Sequence, residues 1–333
     1  MTARRGAALL DALLEASVVG SFSRLGPAVR APLWGFAPLS TLPARGRSVL
    51  VTGTSAGLGY ATAAWLLRAG ATVLGTARTR ARAEGSVAGL TRVLGADVVA
   101  ARYRVDTLDL ADLRSVRAFA ARRCAEGGAL HAIVHNAGAM EPVYRRTPDG
   151  FERTYQVHVL APFVLTDALL VPLAEADRAR VVTVTSGGLY TVALATARLG
   201  SAHRWRPALA YARAKRAQAE FAPLASARTA RLGVDWHTVH PGWAATPGLR
   251  TAMPRFARST GPLLRTAEQA GEGIAWVTLA AAPQAQPGAL WLDRRRRGTT
   301  RLPGTSADPG ERAALWRRVC ADAGVDPARW PQR

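Results

Sequence analysis

Tyr211 and Lys215 are four residues apart in the stretch Tyr211-Ala212-Arg213-Ala214-Lys215. On a helix that spacing puts two side chains on one face, one turn apart. A free phenol titrates at about 10, too high for efficient acid–base work near neutrality. A neighbouring positive charge favours the phenolate and lowers that value. Such a pair can give a proton to, or take one from, an oxygen whose carbon is being reduced or oxidised. Ser186 ends the run Val182-Thr183-Val184-Thr185-Ser186 and can hold the same oxygen by a hydrogen bond. The chemistry these residues suit is hydride transfer between an alcohol and a carbonyl. A bare Tyr-xxx-Lys pair also occurs on ordinary helix surfaces, but composition singles this one out. Lys215 is the one lysine among 44 basic residues, and Asn136 is the one asparagine. Where a chain has replaced lysine by arginine almost everywhere, the survivors mark positions at which substitution fails.

Hydride transfer requires a dinucleotide, and the sequence offers a place for one. Val49-Leu50-Val51-Thr52 runs directly into Gly53-Thr54-Ser55-Ala56-Gly57-Leu58-Gly59, followed by the helical stretch Leu58–Arg68. Glycines at a strand–turn–helix junction let the backbone approach a pyrophosphate, and the helix start supplies free N–H groups. The second apolar run ends Gly75-Thr76-Ala77-Arg78. An acid there would accept from a ribose 2′-hydroxyl, whereas an arginine pairs with a 2′-phosphate. No acid is present, so NADP is the expected cofactor, with Arg78 its phosphate ligand and NAD the alternative.

These residues must be positioned by regular elements, and the pattern from residue 47 onward provides them. Short apolar runs occur at Ser48–Thr52, Ala71–Thr76, Val98–Val105, Ala132–His135, Arg180–Thr185, Val234–Val239 and Ala289–Leu292. Longer helical stretches separate them, including Leu110–Arg122, Phe151–Ala174 and Ala208–Arg231. Near-continuous apolar strands alternating with helices predict a parallel sheet covered on both faces. The expected fold class is α/β: a doubly wound, seven-stranded parallel sheet of Rossmann type in a single domain over residues 45–298. An N-terminal helical appendage (1–44) precedes it. A C-terminal tail (299–333) follows, with a short helix starting at Asp308 and Pro309.

The spacing Gly53-xxx-Gly57-x-Gly59 resembles the short-chain dehydrogenase/reductase superfamily. Further motifs follow in its order: Asp109-Leu110, Asn136-Ala137-Gly138, Ser186, Tyr211-xxx-Lys215 and Pro241-Gly242. The resemblance implies a dinucleotide site of Gly53, Ser55, Gly57, Leu58, Gly59, Arg78, Asp109, Leu110, Asn136, Gly138, Tyr211, Lys215, Pro241, Gly242 and Thr246. It implies Ser186, Tyr211 and Lys215 as catalytic residues, Lys215 also meeting the nicotinamide ribose. The family's fourth catalytic member is an asparagine that anchors a water beside the lysine. Here the local pattern reads Val157-His158-Val159-Leu160-Ala161, so His158 stands in its place. An imidazole can bond such a water and can titrate near neutrality; a satisfied core histidine is the other reading.

Ser186 and Tyr211 are 25 positions apart, a longer insert that resembles the retinol-dehydrogenase-like group. Ser186-Gly187-Gly188, the segment His240 to Arg250, and Trp291-Leu292-Asp293-Arg294 resemble more closely the group of dehydrogenase/reductase SDR family member 12. Leu189, Tyr190, Val192, Leu194, Trp205, Trp243, Leu249 and Met253 would line a site for an apolar alcohol or carbonyl of lipid, retinoid or steroid type. A nucleotide-binding regulatory protein of the same fold, without turnover, remains the alternative function.

Composition narrows the remaining classes. In 333 residues, 44 basic against 23 acidic side chains give a net charge of +21, with 49% hydrophobic residues. That hydrophobic share excludes a disordered chain. The arginines are spread throughout, with the densest run at Arg294–Arg297, so the excess reads as a solvated surface and no nucleic-acid partner is expected. Two distant cysteines, Cys124 and Cys320, make neither a disulfide framework nor a metal site. No secretory signal and no membrane-spanning run is legible. The expected location is cytoplasmic, with contact at the inner face of a membrane left open, as is a homo-oligomer. Leu9, Leu10, Leu13, Leu14, Val18 and Phe22 recur at helical spacing, which suits either a helix packed on the domain or one lying in a membrane interface.

Overall fold

The computed structural model describes residues 2–330, with side chains from Arg5 onward. Runs rich in Val, with Leu and Trp in the seventh, form most of the strands: β1 (Ser48–Val51), β2 (Thr72–Ala77), β3 (Tyr103–Thr107), β4 (Ala132–His135), β5 (Ala179–Val184), β6 (Val234–Val239), β7 (Leu290–Leu292) and β8 (Arg295–Arg297). Their order in one sheet is β3-β2-β1-β4-β5-β6-β7-β8. Every neighbouring pair is parallel except β7 and β8. The order reverses between β1 and β4, which opens a crevice at the carboxyl ends of those strands.

Three helices precede the sheet: α1 (Thr2–Ala16), α2 (Val18–Phe22) and α3 (Leu25–Trp34). Helices α4 (Gly57–Arg68), α5 (Arg80–Leu94), α6 (Ala96–Arg102) and α7 (Leu113–Ala125) connect the strands up to β4. Between β4 and β5 runs a broken helix: α8 (Arg153–Tyr155), a π-helical turn at Gln156–Leu160, α9 (Ala161–Ala168) and α10 (Leu170–Ala174). Helix α11 (Pro207–Thr229) joins β5 to β6. Helices α12 (Pro247–Ala252), α13 (Pro254–Ser259) and α14 (Ala267–Leu279) lead to β7, and α15 (Pro309–Ala323) follows β8. Alternate strand residues feed two cores. Val49, Val51, Val73, Val134 and Val239 pack with Leu66, Ile274 and Val277 on one face. Leu50, Leu74, Ile133 and Val181 pack with Phe119, Leu165 and Ala217 on the other.

The seven expected parallel strands are present, with one boundary corrected. The run starting at Val98 becomes strand only at Tyr103. Residues 96–102 are helical because alanines favour helix, and Val99 alone is buried from that turn. An eighth strand was hidden in the arginine run. Asp293 and Arg294 have φ of 50° and 57°, the two positive values of a type I′ hairpin turn, and the chain then returns along β7. The C-terminal segment is no loose tail, since Trp316, Val319, Cys320 and Trp330 belong to the larger core. Asp308 caps α15 by accepting from the N–H groups of Gly310 and Glu311.

The single N-terminal helix read from the apolar spacing is divided in two. Ser17 caps a new helix by accepting from Gly20 N–H at 3.0 Å. Helix α1 also faces the opposite way from an ordinary surface helix. Asp11 and Glu15 point inward onto the fully buried Arg30, whose guanidinium meets them at 2.7 and 2.8 Å and Asp293 at 2.7 Å. Arg297 and Arg301 complete this cluster, and Arg265 shares Asp293. The same carboxylate that ties down the N-terminal helices therefore fixes the β7–β8 turn.

Candidate active site

The glycine-rich loop leaves β1 at the crevice. Gly53 and Gly57 have φ of +73° and +61°, conformations that L side chains rarely adopt. A Cβ on Gly59 would stand 2.2 Å from the Gly53 carbonyl oxygen and 2.4 Å from Asn136 Nδ2. Asn136 Nδ2 donates to the carbonyl of Thr52 at 3.0 Å, which pins the end of β4 to the loop. Thr52 Oγ1 accepts from the backbone N–H groups of Asn136 and Ala137, both at 3.0 Å. The N-cap of α4 is Ala56, which has no side-chain acceptor to offer the first-turn N–H groups. Uncapped donors at a helix start with close backbone access fit a dinucleotide's pyrophosphate.

Other expected cofactor residues gather at this edge. Thr246 caps α12 and lies over the loop, 3.5 Å from where a Gly57 Cβ would be. Gly242 has φ +75°, and a Cβ there would collide with Arg265 Nε at 2.1 Å. Arg78 follows β2, is exposed, and has no ion pair among the described residues, whereas nearby Arg80 is engaged by Glu84. Asp109 uses one carboxylate oxygen on the Ala111 N–H at 2.9 Å, and Leu110 is buried in the core.

Ser186 lies two residues past the end of β5 and its hydroxyl accepts from Gly188 N–H at 3.3 Å. Tyr211 and Lys215 stand one turn apart on α11, as their spacing predicts, with Lys215 Nζ 5.4 Å from the centre of the phenol ring. Burial raises the Tyr211 phenol above its ordinary value, and the neighbouring Ser186 hydroxyl pulls the other way. The expected lowering by Lys215 is not what the protein groups alone produce. Its ammonium donates to the Val184 carbonyl at 2.8 Å instead, and burial pushes it down to about 7.

His158 departs from the expectation that it titrates near neutrality. It is buried and lies edge-on to Tyr211 at 5.4 Å between ring centres. Burial, reinforced by the Lys215 charge, pushes it down to about 3, so the ring is neutral. Nε2 is 2.9 Å from the Ala139 carbonyl and must carry the proton; Nδ1 is an acceptor without a partner. The backbone carbonyl of His158 is itself taken by Gln218 Nε2 at 2.7 Å. Gly138 makes room for the imidazole.

Several contributors had no legible signal. Tyr103 OH donates to Thr54 Oγ1 at 2.9 Å and bonds Ser86 Oγ at 2.7 Å, a buried knot that braces the glycine loop. Phe22, from α2, stacks on His240 at 4.3 Å and meets Trp243 edge-on. Trp243 in turn contacts Phe256, and Gly187, next to Ser186, faces Phe22, His240 and Trp243. Of the expected substrate lining, Leu189, Tyr190 and Leu194 are buried as packing, whereas Val192, Trp205, Trp243 and Leu249 are half-buried and Met253 is exposed. A separate cavity of about 420 Å³ lies under α3, lined by Trp65, His240, Pro241 and Trp291. Ser186, Tyr211 and Lys215 do not line it.

The sequence pattern of the short chain dehydrogenases matches residues 47–255. Over 275 residues the chain is 34% identical to bovine (Bos taurus) dehydrogenase/reductase SDR family member 12, covering 81% of this chain and 84% of that protein. It is 36% identical over 220 residues to mouse (Mus musculus) retinol dehydrogenase 14, covering 64% and 66% of the two chains. A solved structure of an uncharacterised Mycobacterium paratuberculosis protein superposes with a TM-score of 0.68 at 27% identity, over 89% of this chain and 99% of that one. With the glycine loop, Asn136 and the Ser186–Tyr211–Lys215 group in one crevice, the chain belongs to the short-chain dehydrogenase/reductase family and is an NAD(P)-dependent oxidoreductase.

Proposed function

We propose that this protein interconverts an apolar alcohol and its carbonyl with NADP(H), using Tyr211 as the proton donor and acceptor. The observation that carries the reading is the shared position of the Tyr211 phenol and Ser186 hydroxyl, one helical turn from a buried Lys215. In the reducing direction, a bound dihydronicotinamide supplies the hydride to the carbonyl carbon. Ser186 donates a hydrogen bond to the carbonyl oxygen, and Tyr211 passes its proton to that oxygen as negative charge develops there. Lys215 holds positive charge beside the phenolate that remains, and neutral His158 buttresses the phenol ring from its edge. The unpaired Arg78 at the end of β2 selects the 2′-phosphate.

The apolar substrate class is supported by the half-buried Trp243 beside Gly187, and by the name of the retinol dehydrogenase relative. Two free cysteines suit a cytoplasmic setting. The test follows NADPH and NADH oxidation with retinaldehyde, a steroid ketone, a long-chain aldehyde and a small water-soluble aldehyde. Turnover with NADPH that favours the large apolar carbonyls supports the proposal. Tight NADPH binding with no turnover of any of them replaces it by a nucleotide-binding regulatory role.

A further inference from the structure

We infer that the outer face of α1 and α2 is a docking surface for an anionic lipid bilayer, placed beside the mouth of the active site. A helix on a protein in water ordinarily turns its apolar stripe inward. Helix α1 does the reverse. Its acidic residues Asp11 and Glu15 are consumed by Arg30, Arg297 and Arg301, while Leu9, Leu10 and Leu13 stay 65%, 47% and 61% exposed. Both acids of the helix are therefore turned away from the exposed apolar side. Val18, Val19 and Leu25 extend the exposed patch through α2 into α3. Six of the twelve large apolar side chains exposed among the described residues fall between positions 9 and 25.

The charge around this patch names the occupant. Arg5 and Arg24 flank it, and both are exposed without an acidic partner among the described residues. The Arg24 N–H donates to the Leu263 carbonyl at 2.9 Å, so the patch adjoins the segment carrying α12 and α13. That segment adds exposed Met253 and the exposed Arg250, Arg255 and Arg258, which have no acidic partner among the described residues. Exposed apolar side chains flanked by exposed arginines suit an interface where the former enter the acyl boundary and the latter meet anionic headgroups. A second copy of the chain fits poorly, because two-fold pairing through this face would set the same unpaired arginines against each other. Phe22, which closes α2, reaches from the patch to Trp243 and so to the wall beside Ser186.

The inference does not depend on the proposed substrate, and its test reads binding rather than turnover. The full chain is floated with phosphatidylcholine vesicles and with phosphatidylcholine–phosphatidylserine vesicles, at low and high salt. The expected result is flotation with the anionic vesicles, weakened by salt, and little with the neutral ones. Leu9→Ser, Leu13→Ser and Val18→Ser combined should cut binding at least about tenfold while thermal unfolding and NADPH affinity stay as in the parent. Arg5→Gln with Arg24→Gln should remove mainly the salt-sensitive part. Parent protein that ignores both vesicle types, or a triple variant that floats like the parent, overturns the inference. So does a concentration-dependent dimer that the triple substitution abolishes, which would assign the face to a second copy.

Discussion

The His158 imidazole fills the space that a side chain on Gly138 would need: a Cβ there would stand 2.2 Å from Cε1. The ring cannot retreat freely, because Nε2 is held by the Ala139 carbonyl and the backbone carbonyl by Gln218. Gly138→Ala should therefore destabilise the protein by about 1–3 kcal/mol through overpacking. In a His158→Ala background most of that cost should vanish, since the two positions share one volume. Urea unfolding of the four proteins in the cycle measures the coupling, and additive losses would show that the two positions do not compete.

Arg78 supplies the second prediction. Hydrogen bonds to a charged group contribute about 1.5–3 kcal/mol. Arg78→Ala should thus weaken NADP(H) binding by roughly tenfold to a hundredfold and leave NAD(H) nearly unchanged. Titration of both cofactors against parent and variant checks this. A parent that binds NAD(H) as tightly as NADP(H) would sink the assignment.

Loss of the phenol should cost turnover rather than cofactor affinity. Tyr211→Phe is expected to lower kcat by about 10²–10⁴-fold, the scale for removing a positioned acid–base group, with NADPH affinity little changed. Lys215→Arg should fail as well, although the composition favours arginine everywhere else. The ammonium is buried with one carbonyl partner, and a planar guanidinium neither fits nor bonds there in the same way. Steady-state kinetics with cofactor titration separates the two effects.

Acid should unfold this protein early. Burial pushes His135, His158, His237 and His240 down to about 3 in the folded chain. In the unfolded chain a histidine titrates at about 6.5, so between these values the unfolded state binds more protons. Their full stability is present above about pH 6.5 and is lost as pH falls, by up to about 1.4 kcal/mol per unit for each ring. Urea midpoints should hold above about pH 7 and drop as the pH falls from about 6.5 to about 5, and His158→Asn should make that drop shallower. A midpoint that stays constant across this range would contradict the neutral, buried state of these rings.

What the sequence made legible follows from range. Tyr211 and Lys215 are a local pair on one helix, and the glycine loop is a local junction, so spacing sufficed to find both. Asn136 was marked by rarity, and its bond to the Thr52 carbonyl shows what its carboxamide does there. Contacts between distant segments left no such trace. The Tyr103–Thr54–Ser86 knot joins three elements, and Phe22 reaches His240 across most of the chain. Strand β8 was masked because arginines carry no alternation, and its turn uses positive φ at Asp293 and Arg294 rather than at glycine. The orientation of α1 stayed open in sequence for a physical reason. Its apolar stripe suited either packing or a membrane interface, and the arginines that draw its acidic side inward come from residues 30, 297 and 301.

The indole of Trp330 donates to Asp167 at 2.8 Å and packs beside Phe163, Trp236 and Trp316. Ribosomal synthesis delivers these partners in sequence order, so a nascent chain released as far as Thr300 carries all seven parallel strands yet leaves Phe163, Phe221 and Trp236 without their aromatic cover. Vectorial synthesis thus separates assembly of the sheet from closure of its larger core. During that interval the chain presents sticky aromatic surface, the kind of intermediate on which chaperones act.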